Sequence, residues 1–361
     1  MYPLVVRPVS SNHTRILVLI LAALALLLLL PAAAGAQPFN TWGVWNATAG
    51  IYIDIPHSAD LNPTGAITIE AWVSNFPTNA GGETCRSVIG KNLTQTYWVG
   101  ICGNTLRSHL AGVGSAKDGG AVPTSQWTHI AVTYDGVNRL HYINGELAGT
   151  FPEAGALPTN SSNVRIGSDV AWDFPPQGSI DEVRLWNVAR TVEQIRGSIN
   201  VPIATAMPGL VAVWNLDAGG NDAVDAHGGS VVGDLGFLNF PAMLTCGSGT
   251  STAACLSGRF SVTVSWRDFM GNTGVGTVVS CPNPDSAMFY FFAPNSWEVL
   301  AKIVNGCGFN NHYWAFGAGA TNVFYRLEFT DVQGGGAKIY FNYPGPPAAA
   351  VADAAAFATC P

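Results

Sequence analysis

Two aromatic side chains with two acids beside them crowd one short stretch of this chain. They are Asp169, Trp172, Asp173 and Phe174, between Gly167 and Gly178. Flat rings cover pyranose faces through apolar contact, and connecting loops carry binding residues more often than strands do, so saccharide recognition suits this composition. The competing expectation is that Trp172 packs under Pro175-Pro176. Catalytic patterns are scarcer. Asp181 and Glu182 are adjacent, and on a strand adjacent side chains point to opposite faces, so they do not form the facing pair, about 5 to 9.5 Å apart, that glycoside hydrolysis requires. The serines include no Gly-x-Ser-x-Gly elbow, and the histidines and cysteines include no His-x-x-x-His or Cys-x-x-Cys, which removes the short-range zinc patterns. His129, His141 and His312 read as structural.

The elements that must position these residues are strands. Trp127 to Tyr134 alternates bulky with small or polar side chains and is rich in β-branched residues, the signature of a half-buried strand. Asp135-Gly136 and Asn144-Gly145 supply positive φ angles for tight turns, so a meander of antiparallel strands is expected through Glu146-Leu147-Ala148. Strict alternation would put Ile180, Glu182, Arg184 and Trp186 on one face of the next strand and Asp181, Val183 and Leu185 on the other. Thr191-Val192-Glu193-Gln194 then reads as a capping box that opens a short helix through Arg196, ended by Gly197.

Together with Ile51 to Pro56 and Ile67 to Val73, these motifs closely resemble the laminin-G-like jelly roll, the two-sheet sandwich shared with concanavalin-type lectins and glucanases. The resemblance covers roughly residues 39 to 232 and implies a fold more than a ligand, because such modules bind sugars, proteins or calcium, or act as spacers. It implies one calcium ion, held by an Asp-Gly near the first strand and the acid of Ile180-Asp181-Glu182-Val183. Asp181 matches the second position. Asn46-Ala47 stands where Asp-Gly is expected, which lowers the ligand charge. The Glu-x-Asp-x-x-Glu spacing of laminarinase-like relatives is absent, so no on-strand glycosidase pair is expected. Gly209 to Asp217, followed by Asp225 to Gly229, resembles the opening segment of such modules; it reads as a late strand in permuted order, or as the remnant of a second copy.

The chain has 361 residues, seven cysteines and a formal net charge of −7, with only 11% of residues charged. No basic field is present to attract nucleic acid. Arg7 and Arg15 flank a polar start, Ile16 to Leu30 is uninterrupted and apolar, and Ala34-Gly35-Ala36 is a small-residue cleavage site, so residues 1–36 read as a signal peptide. The apolar run is short against the roughly 20 residues that span a bilayer. An exported chain favours disulfides over metal thiolates. Cys85 with Cys102 suits a hairpin cross-link, Cys246 with Cys255 a small loop, and Cys307 with Cys360 a tie to the C-terminus. The sequence leaves the pairing open, and Cys281 is left over by elimination.

The expected organisation is a jelly roll over residues 37–232, a linker over 233–245 and a second domain over 246–361. In the latter, Arg259 to Trp266, Ala287 to Phe292, Trp297 to Val304, Tyr313 to Phe316 and Asn322 to Thr330 belong to some six or seven strands of a compact sandwich. Cys255-Leu256-x-x-Arg259-Phe260, Trp266-Arg267-Asp268 and Trp297-Glu298-Val299 resemble a C-terminal module of secreted bacterial proteins. Pro344 to Pro347 and the Ala-rich tail read as a pinned loop. The fold class is therefore all-β, an N-terminal two-sheet antiparallel jelly roll plus a smaller C-terminal β-sandwich. The functional expectation is a secreted or cell-surface, non-catalytic binding or adhesion protein for glycan or surface protein. Its ligand residues are Trp172, Asp173 and Phe174, its metal ligands Asp181 and Asn46. The alternatives are a polysaccharide hydrolase or lyase with acids from separate loops, or a structural spacer.

Overall fold

The computed structural model describes residues 41–76, 85–217, 219–224, 227–239, 246–247, 249–279 and 283–361. The expected signal peptide and Cys281 lie outside the described residues. Antiparallel sheets build the described chain throughout, and no described helix is long and apolar enough to cross a membrane.

The jelly roll consists of two facing sheets. The first runs in the order Glu146–Pro152, Asn138–Ile143, Thr128–Tyr134, Ile67–Ser74, Gln177–Trp186, Thr41–Asn46 and Gly236–Asn239, with Leu210–Trp214 also paired to Gln177–Trp186. The second runs Ser230–Val232, Tyr52–Ile55, Val164–Ile166, Cys85–Gly90, Tyr97–Cys102, Thr105–Leu110 and Lys117–Ala121. Period-two alternation supplies the filling: Ile67, Ile69, Ala71 and Val73 of the first sheet meet Ile53, Ile55, Val99 and Ile101 of the second in one core. Each isoleucine or valine among these contributes about 1.5–3 kcal/mol when removed from water.

Local chemistry explains the connections. Asn144 and Gly145 both have positive φ, as their hairpin turn requires. At Asp135-Gly136 only Gly136 does; Asp135 instead accepts hydrogen bonds from the Val137 and Asn138 amides through its side chain. The capping box at Thr191 forms in both directions and starts a helix, Val192–Ser198.

Alternation fails in the strand that carried the densest motif. Asp181 pairs with Trp72 and Arg184 with Glu70, so three steps on one strand oppose two on its neighbour. The extra residue is absorbed at Glu182, which adopts φ 48°. A bulge of this kind resets which face each side chain takes. Ile180, Val183 and Leu185 therefore all enter the core, whereas Asp181, Arg184 and Trp186 share the outer face with Trp72, Glu70 and Thr68. The expected grouping of Ile180 with Arg184 and Trp186 is overturned.

The domain limits also shift. Gly236–Asn239, expected within a linker, pairs with Thr41–Asn46 as an edge strand, and Leu210–Trp214 is a further strand of the same sheet. The C-terminal domain has ten described strands in two five-stranded sheets, more than the six or seven expected. Val264, Leu327 and Phe329 lie in its core together with Phe260 and Phe289. Val351–Phe357, expected as loop, pairs with Tyr313–Gly319, because an open sheet edge overrides the weak strand preference of alanine. Cys85–Cys102, Cys246–Cys255 and Cys307–Cys360 are disulfides.

The two domains meet over the outer face of the first sheet. Trp72, Trp127 and Ile199 cluster there with Ala337 and Ile339, and Trp72 stacks on Phe341 at 6.4 Å. Trp72 and Trp127 fill this junction; Trp186 packs with Ile203 and Val213, and Trp266 lies half-buried against the C-terminal core. Polar ties join in: Arg326 donates to Gln126 at 3.0 Å and Tyr343 to the Asn144 carbonyl at 3.0 Å.

Candidate functional site

The loop between Val164–Ile166 and Gln177–Trp186 crosses the outer face of the second sheet. It starts at Gly167, with φ 82°, where a Cβ would stand 2.3 Å from Trp45 Nε1. Asp169 then turns inward and accepts from the Leu93 amide at 3.0 Å and the Ala171 amide at 2.8 Å. Burial pushes its carboxyl up, while these and neighbouring amides pull the other way. Gly90 makes room for it, since a Cβ there would lie 2.4 Å from Asp169 Oδ2. Asp173 ties the opposite limb by accepting from Ser168 Oγ and from the Gly50 amide, each at 2.9 Å. The loop backbone is held as well: the Ser87 amide donates to the Phe174 carbonyl, Arg86 to that of Pro175 and the Ala47 amide to that of Pro176.

On this frame stand three rings. Trp98 is buried on the outer face of the second sheet and donates to Ser87 Oγ at 2.8 Å. Phe174 meets it edge-on at 5.8 Å, and Trp172 stacks on Phe174 at 6.1 Å with only 7° between the planes. Trp172 remains 56% exposed, so the expectation that it packs under Pro175-Pro176 is not what the loop does. The three expected ligand residues divide the work. Trp172 presents a ring, Phe174 supports it, and Asp173 fastens the loop while keeping further acceptor capacity on its carboxylate. Trp98 was missed by the sequence reading; the available signal was that Tyr97 and Val99 take the core face, which sends Trp98 to the other.

The expected metal ligands are not brought together. Asn46 lies opposite Gln177 and Gly43 opposite Ile180, which puts Asp181 four register positions beyond Asn46, roughly 13 Å along the strand. Calcium ligands sit 2.3–2.6 Å from the ion, so one ion cannot bridge this pair. Asp181 is 1% exposed, beneath the domain junction, and accepts from the Glu182 amide at 3.0 Å. Asn46 is exposed and accepts from the Thr48 amide. Among the described residues no group of three or more His, Cys, Asp or Glu side chains could hold a metal.

Residues of catalytic type are concentrated on the buried outer face of the first sheet. Glu70 pairs with Arg190, lies 3.4 Å from His129 Nε2 and 4.0 Å from Arg184, and is fully buried. Burial alone would raise its carboxyl; the hydrogen bond and charge of His129, with Arg190 and Arg184, hold it at about 2. A second constellation joins the edges of the two sheets, where Ser108 Oγ lies 2.7 Å from His141 Nε2. That is the spacing of an activated nucleophile. Both side chains are fully buried, and burial pushes the imidazole down to about 4, so the pair binds structure together.

Residues 47–196, within the jelly roll, match the family model of the concanavalin A-like lectin/glucanases superfamily. No curated protein matches the chain. Solved structures similar to it include a Bacteroides ovatus ATCC 8483 protein described as a candidate for carbohydrate binding, at 20% identity over 56% of this chain and 60% of that one, with a TM-score of 0.46. The heptameric SAP-like pentraxin of Limulus polyphemus matches at 14% identity over 56% of this chain and 95% of its own, with a TM-score of 0.38. The Ruminococcus gnavus IT-sialidase CBM40 bound to α2,3-sialyllactose matches at 17% identity over 46% and 100%, with a TM-score of 0.37. The chain thus spans less than two thirds of the first of these.

Proposed function

We propose that this chain is an exported, non-catalytic protein that binds glycan through the loop 167–178, as an adhesion or recognition module. The observation that carries the reading is the stack of Trp172 on Phe174, with Trp172 more than half exposed on a loop whose carboxylates and carbonyls are already tied down. A rigid exposed ring offers apolar contact to a sugar face with little ordering left to do on binding. Three disulfides suit an oxidising compartment outside the cytosol. Asp169 and Asp173, the acids nearest the ring, serve the loop itself, which favours recognition over hydrolysis.

A glycan array probed with the full chain, with and without calcium, tests the reading. Binding should reach at least one glycan class, and Trp172→Ala should weaken it about tenfold, the equivalent of ~1.4 kcal/mol for a stacked ring. An array at background throughout, or binding indifferent to Trp172→Ala, overturns it.

A further inference from the structure

We propose that the cleft at the junction of the two domains is a second binding site, one that takes a neutral saccharide chain. The cleft encloses about 560 Å³, within the roughly 300–1,000 Å³ of small-molecule sites, and such sites favour domain interfaces. One wall is the start of the edge strand Glu146–Pro152 with Gln126. The other is the hairpin formed by Phe260–Arg267 and Thr273–Val275.

The chemistry of the walls selects the ligand. Glu146 and Arg267 are the ionisable residues in the lining, and they pair with each other at 2.6 Å, which leaves the cleft without net charge. Each wall exposes a large apolar residue, Leu147 at 57% and Val275 at 53%. The polar residues of the lining include Gln126, whose Oε1 accepts from Arg326 while its NH2 keeps donor capacity, and the hydroxyl-bearing Ser265 and Thr273. A charged ligand would meet no uncompensated partner, and a purely apolar one would strand the amide and hydroxyls. A neutral sugar chain presents both C–H faces and hydroxyls, and so meets both kinds of wall. The hairpin wall is pre-organised, because Asp268 accepts from the Met270 amide at 2.8 Å and the Asn272 amide at 2.9 Å, which limits the ordering needed on binding. This site shares with the loop 167–178 only the class of ligand and stands without it.

The test is affinity electrophoresis of the full chain through gels containing neutral polysaccharides (β-glucan, mannan, arabinan, galactan) or, separately, alginate. Leu147→Arg and Thr273→Trp, both at exposed positions, obstruct the cleft independently, and melting temperatures check that each variant folds. Retardation in a neutral gel, weakened at least tenfold by either folded variant, is expected. Retardation that both variants leave intact overturns the cleft, and its loss in Trp172→Ala alone would then leave the loop reading standing. Loss in the cleft variants but not in Trp172→Ala supports the cleft and removes the loop. No retardation, or retardation by alginate alone, overturns the proposal.

Discussion

The outer faces of the two jelly-roll sheets differ in the opposite sense from what their residue types suggest. That of the first sheet carries Glu70, His129, Asp181, Glu182, Arg184 and Arg190, a set rich in acids and bases, and every one of these is at least nine-tenths buried. That of the second sheet carries the loop 167–178, where the ring most available to a ligand is one tryptophan with no titratable group. A dense cluster of charges buried beneath the helix Val192–Ser198 must satisfy itself, since unpaired buried charge is far more destabilising than unpaired exposed charge. Chemistry by residue type therefore marks, on the first sheet, the anchorage of the helix Val192–Ser198 and the segment after it, and openness rather than reactivity marks the candidate site on the second.

The sharpest way to break this comparison is Glu70→Gln. The substitution leaves Arg190 buried without its carboxylate, while Arg184 keeps Glu182 at 2.9 Å, so unfolding free energy should fall by about 3 kcal/mol, read by urea denaturation, with glycan affinity unchanged in the folded fraction. A loss below about 1 kcal/mol would show that the network is not structural. The same group sets an acid limb. Its carboxyl is held at about 2 against an ordinary 4.5, so its contribution is complete above 4.5 and disappears as the pH falls through about 2, roughly 3 kcal/mol in all. Glu70→Gln should remove that limb, which urea midpoints at pH 7, 4 and 2.5 will reveal.

Asp169→Ala is the matching change on the second sheet. It strands the Leu93 and Ala171 amides, with an expected loss of about 2 kcal/mol, and lets the Trp172 loop drift, so affinity and stability should drop together. Affinity that survives the loss of this anchor would mean that the loop geometry does not matter to binding. Asp217 probes the first sheet once more, with the opposite pH sign. Burial, and then the charge of Glu182, raise its carboxyl to about 7. Its effect therefore favours the fold below about pH 4 and erodes it as the pH climbs to 7, by about 1 kcal/mol after solvent screening. Asp217→Asn should flatten stability between pH 4 and 7, and an unaltered slope there would remove Asp217 from that limb.

Much of the fold was legible in the chain because its signals are local. The Asn144-Gly145 turn and the Thr191 capping box each act within a few residues and form as read, and Thr128–Tyr134 is a strand as expected but buried on both faces rather than half-buried. What failed depends on partners distant in sequence. The bulge at Glu182 exists because Gln177–Trp186 must match Ile67–Ser74 over its whole length, and no pattern inside the strand announces it. The calcium pair failed for a related reason: Asn46 and Asp181 align in motif order, but register separates them. Trp72 and Trp127 were readable as buried but not as buried against another domain, because a tryptophan on either face of a covered sheet alternates in the same way. The candidate loop was legible in composition, and its decisive property, the exposure of Trp172, follows from hydrogen bonds to Leu93, Gly50 and Ser87 that only the folded chain brings near.

Trp172→Ala should produce the smallest change in stability and the largest in recognition for its size. Trp172 is more than half exposed and its ring contact is with Phe174, whose own support comes from Trp98 and from the loop backbone, so truncation should alter unfolding free energy by no more than about 0.5 kcal/mol. Glu70→Gln would then be a variant that unfolds without losing its ligand, and Trp172→Ala one that loses its ligand without unfolding. If Trp172→Ala instead cost stability on the scale of Asp169→Ala, the ring would be a keystone of the loop rather than its presented surface. The two outer faces would then be alike in serving the fold, and the search for recognition would move to the junction cleft.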